Sequence, residues 1–300
     1  MASILTRYLD AEALNRLSGR TIEPQGLALG NLAGGHRSPL AGFAVEFAGH
    51  REYVIGDDPR HVDWRLYYTR DKLFIKQYEM ETNFVCHLVL DVSASMKYGE
   101  GEANKLSYAA KLATTLAYAI IRQNDKVSLA TADEALRGFI PPGHTLAQMH
   151  RMVEHLNAVA PERTTRLSEA LIELAGRSGR RAIVMVFSDL FAEPDELEPA
   201  LQQLRFRDHE VVLFRVLHPD EREFRLDGMT KFLGLEAEGE ELAQAEDIRA
   251  GYLAALAEQT TALQEVCRRN RVELVDVDSG RPAAESLVDY LDRRSRLHRR

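Results

Sequence analysis

The chain has 300 residues, of which 45% are hydrophobic and 28% are charged, and its formal net charge is -8. This length predicts about two domains, and the mixed composition argues against wholesale disorder and against a need for disulfides or a structural metal in order to fold. The pI of about 5.7 argues against a general nucleic-acid-binding protein, which usually carries a basic field.

The first residues and the cysteines indicate the cellular compartment in which the protein is expected. Residues 1–7 lack the basic head and apolar stretch of a signal peptide. No run reaches the roughly 18 apolar residues of a membrane helix, and the best candidate, residues 113–121, is short and contains two threonines. Cys86 and Cys267 lie in a predicted strand and a predicted helix, which favours free thiols in a reducing compartment. We therefore expect a cytoplasmic protein without membrane insertion.

Residues 1–82 predict an N-terminal helix followed by a small β-rich unit. Residues 8–17 have amphipathic helical spacing, and four glycines after them break the pattern. Short aromatic and β-branched runs predict strands at residues 43–47, 52–55 and 72–78, with a polar turn at residues 56–59. We place one domain over residues 1–82.

From residue 83 to the end, predicted strands and helices alternate. Residues 84–90 are a continuous apolar run, typical of a strand buried on both faces, and residues 105–122 have helical spacing. Further strands are predicted at residues 126–131, 135–140, 181–187, 211–217 and 272–277, and helices at residues 144–159, 167–178, 195–206, 247–270 and 283–297. The alternation predicts an α/β domain over residues 83–300, with a doubly wound, mostly parallel sheet covered on both faces.

Oxygen-bearing side chains follow or precede three of these elements. They are Asp91, Ser93 and Ser95 after the first strand, Ser188 and Asp189 after the strand at residues 181–187, and Thr164 and Thr165 before the helix at residues 167–178. In a doubly wound sheet, ligands bind beyond the carboxyl ends of the strands. No His or Cys accompanies these residues, and oxygen ligands suit a hard cation, Mg²⁺ or Mn²⁺.

The motif Asp91-x-Ser93-x-Ser95, followed by Thr165 and then Asp189, resembles the metal-ion-dependent adhesion site of von Willebrand factor A (vWA) domains. The resemblance implies that Ser93, Ser95 and Thr165 coordinate the metal through hydroxyls. It implies that Asp91 and Asp189 act directly or through water. The alternative is that Asp91 and Ser93 merely cap the helix that follows.

A second motif lies ahead of the sheet. It reads Arg51-x-Tyr53-x-x-Gly56-Asp57-Asp58-x-Arg60-x-Val62-Asp63-Trp64-Arg65, then Arg70, Leu73, Lys76 and Tyr78-Glu79, with Gly35-His36-x-Ser38 upstream. This motif is similar to the bacterial "domain of unknown function 58" family, in which a vWA body follows. Tyr68-Thr69 departs from the small residues that this family often has at those positions.

Arginines and carboxylates alternate in this second motif. Such alternation favours Arg–carboxylate pairs that hold loops in place, so one interpretation is a structural brace with Trp64 packed as an anchor. The other is a partner-docking surface, because Trp and Arg dominate binding hot spots. The residues concerned are Arg51, Asp57, Asp58, Arg60, Asp63, Trp64 and Arg65.

Several catalytic classes lack their motifs in this chain. There is no Gly-x-x-x-x-Gly-Lys-Ser/Thr loop, no Gly-x-Ser-x-Gly elbow, and no second Asp two residues after Asp91 as in phosphoaspartate hydrolases. We therefore expect a non-enzymatic, Mg²⁺-dependent protein-binding module that receives a Glu or Asp from a partner. The family resemblance implies that the partner is a MoxR-type AAA+ ATPase, with an accessory role in chaperone-like complex assembly or activation.

Two alternatives stay open. One is a Mg²⁺-dependent hydrolase acting on a phosphoester, although no clear general base accompanies the two aspartates. The other is self-occupancy, in which Asp57, Asp58 or the acidic residues 236–241 reach the metal of the same or a neighbouring chain. Self-occupancy would produce an autoinhibited chain or a homo-oligomer. The basic residues 293–300 predict a helix end and a frayed tail rather than a nucleic-acid contact.

Overall fold

The computed structural model describes residues 8–17, 19–22, 24, 45–80, 84–161, 164–234 and 239–298. The chain divides into two compact units, a larger one of residues 1–24 and 84–300 and a smaller one of residues 25–83. The helices are α1 (Ala11–Leu17), α2 (Trp64–Arg70), α3 (Lys105–Arg122), α4 (Leu146–Ala158), α5 (Leu167–Arg177), α6 (Pro194–Phe206), α7 (Pro219–Glu223), α8 (Ala245–Arg269) and α9 (Ala283–His298). The strands are β1 (Val45–Glu52), β2 (Phe74–Met80), β3 (Val85–Asp91), β4 (Lys126–Ala132), β5 (Leu136–Gly143), β6 (Ile183–Ser188), β7 (Glu210–Leu217), β8 (Met229–Leu233), β9 (Glu240–Gln244) and β10 (Glu273–Asp278).

The larger unit contains a six-stranded sheet in the order β10-β7-β6-β3-β4-β5. All neighbouring strands are parallel except β5, which pairs antiparallel with β4 as the predicted hairpin partner. Counted along the chain, this order is 3-2-1-4-5-6, which is the doubly wound arrangement with its switch point between β3 and β6. The predicted α/β fold class is confirmed.

Helices cover both faces of this sheet and create two separate cores. Alternate side chains of a strand point to opposite faces, so Leu88 lies in one core and Val89 in the other. The first core is packed by α1, α3, α4 and α9, and the second by α5, α6 and α8. All six residues of β6 are buried, which explains why its sequence is continuously apolar.

The N-terminal helix α1 belongs to the larger unit rather than to the predicted domain of residues 1–82. Ala13, Leu17 and Ile22 are buried in the first core beside α9 and α3. The helical spacing of residues 8–17 predicts an apolar face, but spacing alone does not say which surface that face covers.

The smaller unit pairs β1 and β2 as an antiparallel hairpin. The strand predicted at residues 52–55 does not extend beyond Glu52, where β1 ends. A turn follows, in which the Asp57 amide donates to the Val54 carbonyl (3.0 Å). Helix α2 was not predicted, and the Asp63 carboxylate caps it by accepting from the amides of Arg65 (3.0 Å) and Leu66 (3.3 Å). The upstream motif at residues 35–38 lies outside the described residues.

The C-terminal basic segment is not a frayed tail over its described part. Helix α9 extends to His298, and the Arg294 side chain is 2% exposed. Its Nη1 lies 2.7 Å from Glu210 Oε1 and 3.7 Å from Glu273 Oε2, at the first residues of β7 and β10. Among the described helices, none is long and apolar enough to cross a membrane.

Candidate metal centre

Two of the predicted metal ligands, Asp91 and Asp189, lie at the switch point of the sheet. Asp91 is the last residue of β3, and Asp189 directly follows β6. These strands are neighbours, with Leu90 paired to Phe187, so the two carboxyl-bearing segments leave the sheet side by side. The chain continues from β3 to the face covered by α3 and from β6 to the face covered by α6, which is the arrangement in which open α/β sheets bind ligands.

Asp91 is fully buried and both of its carboxylate oxygens are hydrogen-bonded. Oδ1 accepts from the Ser93 amide (2.9 Å), and Oδ2 accepts from the Ser188 hydroxyl (2.5 Å). The Ser188 hydroxyl in turn accepts from the Leu190 amide (3.1 Å), which fixes its orientation. These bonds hold the Asp91 carboxylate in place without a counter-charge.

Ser93 and Ser95 present their hydroxyls together. Their Oγ atoms lie 3.0 Å apart, and Ser95 is half-buried while Ser93 is buried. Ser93 precedes the short 3₁₀ helix Ala94–Lys97, but its side chain makes no capping hydrogen bond there. The capping alternative therefore does not describe the Ser93 side chain.

The electrostatics of the site favour a cation. Burial and, to a smaller extent, the negative charge of Asp189 raise the pKa of Asp91 to about 7, against the hydrogen bonds from Ser188 and Ser93, which lower it. The donors are carboxylates and hydroxyls, which fit a hard divalent ion such as Mg²⁺ or Mn²⁺. In the described part of the chain, no group of three or more His, Cys, Asp or Glu side chains could hold a metal, so a site here depends on the hydroxyls.

Thr165 lies in the segment just before α5 and is half-buried. The next residue, Arg166, donates its amide to the carbonyl of Asp133 (2.9 Å), directly after β4. Since β4 is parallel to β3, this segment lies at the same carboxyl edge as Asp91. The neighbouring Thr164 is exposed and donates its hydroxyl to Glu134 (3.0 Å).

A buried lysine that the sequence analysis did not single out contacts one predicted ligand. Lys105, the first residue of α3, is completely buried, and its Nζ lies 2.8 Å from Asp189 Oδ2 and 2.6 Å from Glu221 Oε1. Although burial alone would lower the pKa of Lys105, the two carboxylates raise it above its ordinary value. Burial raises the pKa of Glu221, against the opposing effect of Lys105.

A signal for Lys105 was present in the sequence. Lys105, Ala109, Leu112 and Leu116 are spaced along one face of α3, and all are buried. A lysine in line with an apolar face needs a buried partner, but the sequence could not identify Asp189 and Glu221, which are 84 and 116 residues away.

Aromatic rings flank the Lys105 ammonium. Its Nζ lies 5.3 Å from the ring centroid of Phe191 and 6.0 Å from that of Tyr98. Phe191 is 42% exposed, so the rim of the site carries an apolar side chain that reaches solvent.

The proposed docking residues of the smaller unit have mixed environments. Arg51 pairs with Asp57 (2.9 Å), and the hydrogen bond from Arg51 lowers the pKa of Asp57. Asp63 pairs with His50 (2.9 Å), while Asp58 accepts from the Arg60 amide (2.9 Å). These contacts fit the brace interpretation. In contrast, the side chains of Arg60, Trp64 and Arg65 are exposed.

Some known proteins are similar to this chain at low sequence identity. The chain is 25% identical over 194 residues to uncharacterised proteins of Mycobacterium tuberculosis and Mycobacterium bovis, covering 63% of this chain. The chain spans about 60% of the length of these curated relatives.

Solved structures with distant likeness include the BatB protein from Bacteroides thetaiotaomicron (16% identity, 71% of this chain and 100% of that chain, TM-score 0.44). An aerotolerance-related membrane protein from Bacteroides fragilis matches at 18% identity, over 70% of this chain and 98% of that chain, with a TM-score of 0.47. The vWA domain of the protein SpRpn10 matches at 11% identity, over 70% of this chain and 95% of that chain, with a TM-score of 0.40. The family described as "Protein of unknown function DUF58" matches residues 49–262, more than half of the chain, and the chain belongs to this family.

Proposed function

We propose that this chain is a non-enzymatic, Mg²⁺-dependent protein-binding module. The observation that carries the proposal is the position of Asp91, Ser93 and Ser95 beside Asp189 at the switch point of a doubly wound sheet. Ligands bind at this position in open α/β sheets, and the donors offered there are all oxygens.

Five residues would hold the ion: Asp91, Ser93, Ser95, Thr165 and Asp189. A bound Mg²⁺ would accept a carboxylate oxygen from another protein, since few negative charges of this chain oppose it. The Ser188 hydroxyl and the Ser93 amide would keep Asp91 oriented for this role. The half-buried Ser95 and the exposed ring of Phe191 lie at the side where a partner could approach.

For the partner, we propose a MoxR-type AAA+ ATPase that offers a Glu or Asp side chain. The chain itself has no phosphate-binding loop, so nucleotide hydrolysis would come from the partner. In this arrangement the chain is an accessory subunit in the assembly or activation of other complexes.

The test is a pull-down of a MoxR-type ATPase from the same organism by the full chain, in Mg²⁺ or in EDTA. Capture is expected in Mg²⁺ only, and the Asp91→Ala variant is expected to lose it. Asp195→Ala is the matched control, because Asp195 is exposed on α6. Capture that persists in EDTA and in Asp91→Ala would contradict the metal-bridged function.

The hydrolase alternative has a separate test. The purified chain is assayed against generic phosphoesters with Mg²⁺ and with Mn²⁺, and no turnover is expected. Metal-dependent turnover that disappears in Asp189→Ala would favour the hydrolase over the binding module.

A further inference from the structure

The contacts of Lys105 place a fixed positive charge against the candidate metal centre. Its ammonium lies between Asp189, a predicted ligand, and Glu221 of α7, which is not part of the predicted ligand set. Glu221 is itself held by the amide of His218, which donates to Oε2 (2.8 Å). Lys105 is 0% exposed, so solvent screens these charges weakly.

Lys105 and Glu221 have opposite electrostatic effects on Asp189 and on an ion bound beside it. The ammonium attracts the carboxylate charge that a divalent ion would also use, and it repels that ion directly. Glu221 acts in the other direction, because it shares the ammonium with Asp189 and adds a negative charge nearby.

We propose that the Lys105–Glu221 pair sets the metal affinity of this centre, with Lys105 weakening it and Glu221 restoring part of it. The inference rests on the proposed metal-binding function and specifies how that site is regulated. A centre weakened in this way retains its ion best when a partner carboxylate adds to the ligands, which couples metal occupancy to partner binding.

The alternative role for Lys105 is a brace that only holds Asp189 in position. The two roles predict opposite signs for the effect of Lys105→Met on metal affinity. If Lys105 is a brace, removing either its charge or that of Glu221 disorders Asp189 and weakens metal binding. If the pair sets the affinity, the two neutralising variants change the affinity in opposite directions.

The experiment measures Mn²⁺ and Mg²⁺ binding to the full chain by isothermal titration calorimetry, together with the thermal midpoint with and without metal. A unit charge about 6 Å from a divalent ion changes its affinity about tenfold even at the dielectric constant of water. Lys105→Met should therefore bind metal at least about tenfold more tightly than wild type, and Glu221→Gln at least about tenfold more weakly. The double variant should bind metal more tightly than wild type and less tightly than Lys105→Met, since Glu221 offsets only part of the effect of Lys105.

Two controls separate charge from folding. Lys111→Met removes a cation from the same helix that pairs with Glu102 instead, and it should leave metal binding unchanged. Lys105→Met leaves the buried Asp189 and the half-buried Glu221 without their shared cation, so its thermal midpoint should fall in EDTA and recover in Mn²⁺. If this variant does not fold, the double variant still decides between the two roles, because a brace predicts weaker metal binding than wild type for it.

The outcomes distinguish the inference from the proposed function. If wild type binds metal, then equal or weaker binding by Lys105→Met would overturn the inference and leave the proposed function standing. Stronger binding by Glu221→Gln would have the same consequence. Binding that appears only in Lys105→Met would support the inference, and the proposed function is then overturned only if the pull-down also shows no dependence on Mg²⁺. No binding by any folded variant would overturn both.

Discussion

Replacing Asp91 with Asn should stabilise the metal-free protein at neutral and alkaline pH. The folded environment raises the pKa of Asp91 from 3.8 to about 7, chiefly by burial and then through Asp189. The pKa rises by about three, and each increase of one corresponds to about 1.4 kcal/mol. The ionised carboxyl therefore costs the folded state about 4 kcal/mol. Asparagine avoids this cost and keeps a carbonyl oxygen to accept from the Ser93 amide.

The sign follows from linkage. A carboxyl with a raised folded pKa binds more protons in the folded state, so stability falls as pH rises from about 4 through about 7. Between pH 5 and pH 8, wild type should lose about 3 kcal/mol relative to Asp91→Asn. At pH 5 most Asp91 carboxyls in the folded protein are protonated, so the two proteins should differ least there.

The assay is urea unfolding followed by circular dichroism at pH 5, 6, 7 and 8, in EDTA. Asp195→Asn serves as the control, because it neutralises an exposed carboxylate in the first turn of α6. It should follow wild type across the series. Parallel pH profiles for wild type and Asp91→Asn would refute the reasoning that Asp91 is a desolvated, uncompensated carboxylate.

Three further predictions concern stability, each measured by urea unfolding. Arg294→Met should cost about 3–5 kcal/mol, because it removes the buried guanidinium that pairs with both Glu210 and Glu273; the exposed Arg296→Met should cost less than about 0.5 kcal/mol. Asn104→Ala should cost about 1 kcal/mol, since Asn104 caps α3 by accepting from the Ser107 amide. Leu174→Ala should cost about 2–5 kcal/mol, because Leu174 is fully buried in the second core.

Local patterns predicted the elements of the α/β body well. Residues 105–122 were predicted as a helix, and α3 has those bounds, because its apolar spacing and the Asn104 cap agree. The continuous apolar run of β6 predicted a strand covered on both faces, and all its residues are buried. Here each local preference agrees with the tertiary environment.

Sequence patterns did not predict the elements and side-chain environments that depend on contacts between residues distant in the chain. Residues 219–245 have no clear pattern beyond a short strand-like run at residues 230–235, and they contain α7 and the hairpin β8–β9, whose strands pair antiparallel. Helix α2 was missed because only seven residues form it, with no long periodic pattern. Arg294 was assigned to a basic tail, since the sequence gives no sign that β7 and β10 begin with the glutamates that pair with it.

In the candidate site, too, local patterns identified some residues, and residues that meet through distant contacts were missed. Asp91, Ser93 and Asp189 were placed at strand ends by the order of elements, and the structure has them at adjacent strand ends. Lys105 and Glu221 were missed, because their meeting depends on how α3 and α7 lie across that edge. Whether a metal binds there stays a prediction.

The sheet separates two cores, and each core contains one thiol. Cys86 lies in the first core, Cys267 lies in the second, and burial raises the pKa of each thiol above its ordinary value. A thiol reagent can reach either sulfur only when the helices on that face move away. The native protein therefore carries an internal reporter on each side of its sheet. The labelling rates of single-cysteine variants would measure the opening free energy of one helical layer independently of the other.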